Sequence, residues 1–214
     1  GSATTGDHQP RNNTYTMIFQ RLKTGGEVSD RDFDSIYARR IRAVSKIHFT
    51  PVNVAKTAAR FLADTPGARV LDVGSGAGKF CMVGASCTKG IFTGVEQREY
   101  LHQLSDLLSR FHSLSNTRFI HSNITEITFR EYDAIYFFNS FYENILPGTP
   151  IDSSVNLDRT LYAVYSQYMK QQLSTMPAGT RLATYFSYMD EIPACYEIQA
   201  SFFDDKLKLW VKAE

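Results

Sequence analysis

A chain of 214 residues, 43% hydrophobic and 21% charged, suits one globular domain with a substantial core and excludes a disordered protein. Lys plus Arg number 23 and Asp plus Glu 22, so the net charge of +1 gives no whole-protein attraction to nucleic acid or anionic membrane and leaves only a local basic patch open. Three cysteines, Cys81, Cys87 and Cys195, without C-x-x-C spacing argue against a disulfide framework or a zinc site and suggest reduced thiols in a cytoplasmic protein. No apolar run approaches the roughly 20 residues that span a bilayer, and the first residues lack a charged-then-apolar signal pattern.

Residues 1–13 are polar with Gly and Pro, and are expected to be a poorly ordered lead-in. From Asp30 to His48, Phe33, Ile36, Tyr37, Ile41, Val44 and Ile47 recur at helical spacing and predict one amphipathic helix. Its other face carries Arg39, Arg40, Arg42 and Lys46, either a solvated basic face or a substrate-facing patch. Thr50-Pro51 reads as an N-cap followed by proline at the first helical position, opening a helix over 51–63. Arg69 to Val73 is a short apolar strand, followed by a glycine turn and the apolar helix KFCMVGASC. KGIFTGVE is a second strand, and Arg98 to His112 a helix with Leu101, Leu104, Leu107, Leu108 and Phe111 inward.

TRFIHS and YDAIYFFN read as strands three and four. A loop with Pro147, Gly148 and Pro150 leads to a helix over 156–175 and a fifth strand, TRLATYFSY. CYEIQASFF and KLKLWVKA, joined at Asp204-Asp205, form an antiparallel hairpin because so short a link cannot cross over. Alternating strands and helices that end in a hairpin predict an α/β fold: a doubly wound, mostly parallel seven-stranded sheet with an N-terminal helical extension.

The turn VLDVGSGAGKF can be tested against three ligand classes. A triphosphate loop needs G-x-x-x-x-G-K-[ST], but Val73 stands at the first glycine and Phe80 at the hydroxyl. A dinucleotide turn, G-x-G-x-x-G, would need glycine where Lys79 stands. The glycines run instead Gly74, Gly76, Gly78, with Asp72 before them and Ser75 between.

That pattern, D-x-G-x-G-x-G, resembles motif I of the Rossmann-like, class I methyltransferases, and implies S-adenosylmethionine as cofactor. Asp72 and turn carbonyls would then face the ammonium and sulfonium of the cofactor, and the glycines would let the backbone approach it. Glu96, which ends the second strand, can accept from both ribose hydroxyls, in these enzymes as in dinucleotide folds. The resemblance further implies an adenine contact after strand three, where Asn123 stands in place of the usual aspartate, and a segment over the methionine end of the cofactor at Thr50.

After strand four, FFNSFYEN partly matches the N-P-P-Y of amino-directed methyltransferases, keeping Asn139 and Tyr142 and lacking both prolines. The order of a basic aromatic helix, Thr-Pro, DVGSGAGKF, GVE and FFNSF over about residues 36–142 is similar to the non-SET histone lysine methyltransferases and their bacterial relatives. Both resemblances imply a nitrogen acceptor, with Asn139 orienting the amine and Tyr142 and Phe141 lining the channel. Scattered histidines at 48, 112 and 121 support no metal site.

The expected function is therefore S-adenosylmethionine-dependent methyl transfer to an amine of a protein side chain or small molecule. An O- or C-methyltransferase on a metabolite and a non-catalytic cofactor-binding module remain alternatives. Nucleic acid has the helix 39–46 as its sole candidate patch. The expected division is an N-terminal extension and lid over 1–48 and a Rossmann-like domain over 49–214.

Overall fold

The computed structural model describes residues 11–138, 159–187 and 190–214. The first half runs α1 (Arg11–Lys23), α2 (Asp30–Asp34), α3 (Arg39–His48), α4 (Val52–Leu62), β1 (Arg69–Val73), α5 (Lys79–Cys87), β2 (Ile91–Glu96) and α6 (Glu99–Phe111). Then come β3 (Thr117–His121), two 3-10 turns (Ile124–Glu126 and Phe129–Glu131), β4 (Ala134–Phe138), α7 (Arg159–Thr175), β5 (Arg181–Tyr185), β6 (Tyr196–Phe202) and β7 (Leu207–Lys212). The seven strands lie in the order β3-β2-β1-β4-β5-β7-β6. The first five are parallel, and β7 inserts antiparallel between β5 and β6 to close the predicted hairpin.

Period-2 alternation along the strands divides the interior into two apolar layers. Val70, Ala134, Tyr136, Ala183 and Leu209 face α4, α5 and the N-terminal helices. Leu71, Val73, Ile135, Phe137, Leu182 and Trp210 face Tyr165, Met169 and Leu173 of α7. Every residue of α5 from Lys79 to Ser86 is buried, because α1 and α4 cover the side that the sheet does not. Gly84 makes this packing possible: a Cβ there would lie 2.4 Å from the Phe92 ring.

Several sequence expectations change: Leu107 and Phe111 of α6, expected inward, and Ile47 of α3, expected on its apolar face, are exposed. Residues 11–13, placed in a poorly ordered lead-in, open α1, whose Ile18, Phe19 and Leu22 join the same core as α5. The single helix expected over 30–48 is broken: Ser35 donates from its backbone and its hydroxyl to Asp32 O, and Ala38 is extended (φ −61°, ψ 157°). The break lets Asp34 and Tyr37 both reach the turn after β1, and Arg42 satisfies the interrupted Tyr37 carbonyl at 2.9 Å.

Thr50, expected to cap α4, does not. The cap position is Pro51, without a side-chain bond, and Val52 N donates to Asp30 Oδ1 of α2 at 2.8 Å.

Candidate active site

The turn between β1 and α5 lies at the carboxyl ends of the parallel strands, where open α/β sheets bind ligands. Gly74 N and Ser75 N both donate to the Val95 carbonyl, at 3.0 and 2.8 Å, and Gly78 N donates to Ser75 O at 2.9 Å. Gly74, Gly76 and Gly78 take φ of +80°, +56° and +83°, the left-handed region that side chains disfavour. At Gly76 space forbids a side chain as well, since a Cβ would stand 2.8 Å from the Phe49 ring. The motif also relies on a glycine outside it: a Cβ on Gly94 of β2 would stand 2.5 Å from Ser75 Cβ.

Two carboxyls flank the turn. Glu96 Oε1 accepts from Gly76 N at 3.1 Å, its Oε2 accepts from Arg98 N at 2.8 Å, and the Arg98 guanidinium lies 3.7 Å from Oε2. Asp72, 3% exposed, receives the Cys81 thiol at 3.7 Å. Burial, with Glu96 adding to it and the thiol bond opposing it, pushes the Asp72 carboxyl up to about 8. Cys81 moves upward for the same reason, burial first and Asp72 second. The Ser75 hydroxyl is buried with no hydrogen-bond partner among the described residues.

An N-terminal cover lies against this turn. Tyr37 OH donates to Ala77 O at 3.0 Å, and the Tyr37 ring meets Phe49 edge-on at 6.0 Å. Thr50 Oγ1 and Tyr136 OH are 2.6 Å apart, and Tyr136 stacks on Phe80 at 3.8 Å and 7°. Register puts Tyr136 beside Asp72, and burial raises its phenol well above the ordinary value.

Lys79, which superficially completes a phosphate loop in the sequence, instead binds the cover. Its ammonium lies 2.8 Å from Asp30, 3.0 Å from Asp34 and 3.3 Å from Ser45 Oγ. From below, Ser105 Oγ donates to Gly76 O at 3.1 Å.

The structure therefore brings Asp72, Gly74, Ser75, Gly76, Gly78, Glu96 and Thr50 to one end of the sheet. Asn123 follows β3 on the neighbouring strand end, but both ends of its amide are engaged. Oδ1 accepts from Thr125 N and Thr125 Oγ1, and Nδ2 donates to Tyr165 OH at 2.7 Å. Asn139, Phe141 and Tyr142 lie outside the described residues, immediately after β4.

Tyr136, Phe80, Lys79 and Ser105 were not legible as site residues. The aromatic ones read as core, and nothing in the spacing pairs Lys79 with Asp30 or Ser105 with Gly76.

This strand order with β7 turned antiparallel, and this turn at the end of β1, define the Rossmann-like fold of S-adenosylmethionine-dependent methyltransferases. No family model matches the sequence, and no curated protein matches it. Solved structures with the same fold include TrmN from Thermus thermophilus, 18% identical at a TM-score of 0.56 over 82% of this chain. This chain spans 52% of that one, about half its length. An RNA methyltransferase from Salinibacter ruber in complex with S-adenosyl-L-homocysteine is 18% identical at a TM-score of 0.52, covering 77% of this chain and 94% of that one. A SAM-dependent O-methyltransferase from Thermotoga maritima is 16% identical at 0.53, covering 83% and 72%.

Proposed function

We propose that this chain is an S-adenosylmethionine-dependent methyltransferase acting on an amine nitrogen. The observation that carries the cofactor reading is the bond from Gly76 N to Glu96, which fixes an acidic side chain of β2 to the middle of a left-handed glycine turn. The donor set suits an adenosyl amino acid: a buried carboxyl at Asp72, an orphan hydroxyl at Ser75, a glycine turn free of bulky side chains, and a carboxylate at Glu96. When bound, the cofactor supplies a methyl group made electrophilic by its sulfonium.

In this reading Asp72 holds the ammonium end, Glu96 accepts from the ribose hydroxyls, and the Phe49–Thr50 cover excludes water from the turn. Asn123, fixed by Tyr165, borders the adenine through its backbone and through whatever amide capacity its capping bonds leave. Asn139 orients the acceptor amine, and Tyr142 lines the channel. Transfer is an in-line displacement, in which the new N–C bond forms as the C–S bond breaks and the amine releases a proton. Holding a neutral amine against the methyl carbon therefore accounts for much of the rate, and no covalent nucleophile is needed. The acceptor assignment rests on the N-S-F-Y stretch that directly follows β4. Residues up to 48 serve as the lid of this site.

Calorimetry with S-adenosylmethionine and S-adenosylhomocysteine tests the cofactor reading. Micromolar binding weakened by both Glu96→Ala and Gly76→Val supports it, and no binding by the folded protein refutes it. Asn139→Ala should then nearly abolish turnover and spare cofactor affinity; an unchanged rate removes Asn139 from the mechanism.

A further inference from the structure

The solvent face of α3 is a line of positive charge, unpaired with any carboxylate among the described residues, that leads towards the glycine turn. Arg39, Arg40, Arg42 and Lys46 are all exposed. No carboxylate pairs with any of the four among the described residues. Between Asp34 and Asp64 the sequence carries Arg39, Arg40, Arg42, Lys46, Lys56 and Arg60 and no acidic residue, in a protein whose overall charge is only +1. The positive charge is thus local to α3 and α4, with four of the six cations on α3.

Helical geometry arranges it. Positions 39, 42 and 46 follow the i, i+3, i+7 spacing of a single stripe, with steps of roughly 4.5–6 Å along the axis. Arg40 lies beside the stripe with its guanidinium 5.3 Å from the centre of the Tyr100 ring. Three of the four cations are arginines, whose planar fork binds phosphate bidentately. Three residues beyond Lys46, the chain becomes Phe49, whose ring rests on Gly76, and then Thr50, bonded to Tyr136.

We infer that this face of α3 docks the phosphodiester backbone of a nucleic-acid strand and leads one of its bases towards the glycine turn. A membrane surface fits less well. A helix that lies in a lipid interface needs its apolar face free to enter the acyl layer. The inner face of α3 is already in the core, with Ile41 and Ser45 buried and Val44 packed on the same cluster. Ile47 is the sole large hydrophobic of α3 left exposed among the described residues.

The Arg40–Tyr100 pair provides a cation and an aromatic ring beside the stripe, the combination on which bases of a single strand stack. The acceptor nitrogen would then be an exocyclic amine of a nucleobase. That last step rests on the methyltransferase reading, whereas docking does not.

The test is fluorescence anisotropy with a labelled single-stranded RNA of mixed sequence, without cofactor, at 50 and 200 mM salt. Four phosphate contacts on a single strand predict a dissociation constant that rises about 50-fold across that range. Arg39→Ala combined with Lys46→Ala, two side chains with no partner among the described residues, leaves two contacts and predicts a rise of about 7-fold. A wild-type protein that does not bind at 50 mM salt, or a double variant with the wild-type salt dependence, overturns the inference. So does equal affinity for poly-glutamate, or binding to phosphatidylserine vesicles without binding to RNA.

A matching DNA strand bound equally well supports docking through phosphodiester alone, and a preference for RNA supports docking with added contacts to the 2′-hydroxyl. If calorimetry finds no S-adenosylmethionine binding while the strand still docks, the transferase reading fails and this surface stands.

Discussion

Lys79→Met removes the ammonium that ties the N-terminal cover to the first turn of α5. Lys79 is 2% exposed and Asp34 5%, and Asp30 is about half exposed at its side chain. Asp34 Oδ1 makes no hydrogen bond among the described residues, so its 3.0 Å contact with Lys79 is an ion pair. Breaking a buried pair by deleting one partner costs about 3–5 kcal/mol, because the remaining charge is left desolvated. Water can take over the share of Asp30, which places the expected loss near the lower bound, about 3 kcal/mol.

For a domain of this size, a loss of that magnitude lowers Tm by about 6–12 °C. Thermal unfolding followed by circular dichroism measures it. Lys79→Met with Asp34→Asn should recover part of the loss, since the second change removes the stranded charge. A drop of less than about 2 °C in the single variant would show that the cluster does not hold the cover, at odds with the structure.

Asp72 should make cofactor binding proton-linked. Its carboxyl is raised to about 8, so at pH 7 it is protonated in the free protein, and an ammonium brought beside it drives the proton off. Calorimetry in two buffers of different ionisation enthalpy should find release approaching one proton per cofactor, and none if Asp72 is not the partner. For stability, the raised value means that the contribution of Asp72 is complete below the unfolded value of about 3.9 and is lost as pH rises through about 8. Asp72→Asn should flatten that fall. At the Thr50–Tyr136 hydrogen bond, Thr50→Val or Tyr136→Phe alone should destabilise by about 1–3 kcal/mol, by leaving a buried hydroxyl unpaired. The double variant should cost less than the sum, and strict additivity in urea unfolding would show that the two do not interact.

The sequence alone determined what is written in short-range pattern. Strands and helices alternated clearly because apolar spacing follows backbone geometry, and the short Asp204-Asp205 link forced β6 and β7 antiparallel. The glycine register from Asp72 to Gly78 was legible for the same reason: left-handed backbone is a property of single residues. Glu96 was found from its place at the end of a strand, and the basic face of α3 from helical spacing.

What joins residues far apart in the chain was decided only by the tertiary structure. Tyr136 reads as a core residue until Thr50 lies 2.6 Å from its hydroxyl. Lys79, already excluded from a phosphate loop by Val73 and Phe80, has no legible partner until Asp30 and Asp34 converge on it. The break between α2 and α3 obeys the same cause, since an unbroken helix fits the local pattern equally well and only the pull of Asp34 and Tyr37 towards the glycine turn selects two. Such contacts carry no periodicity, and the packing of the N-terminal helices over the end of the sheet, which sets the cover over the turn, is what creates them.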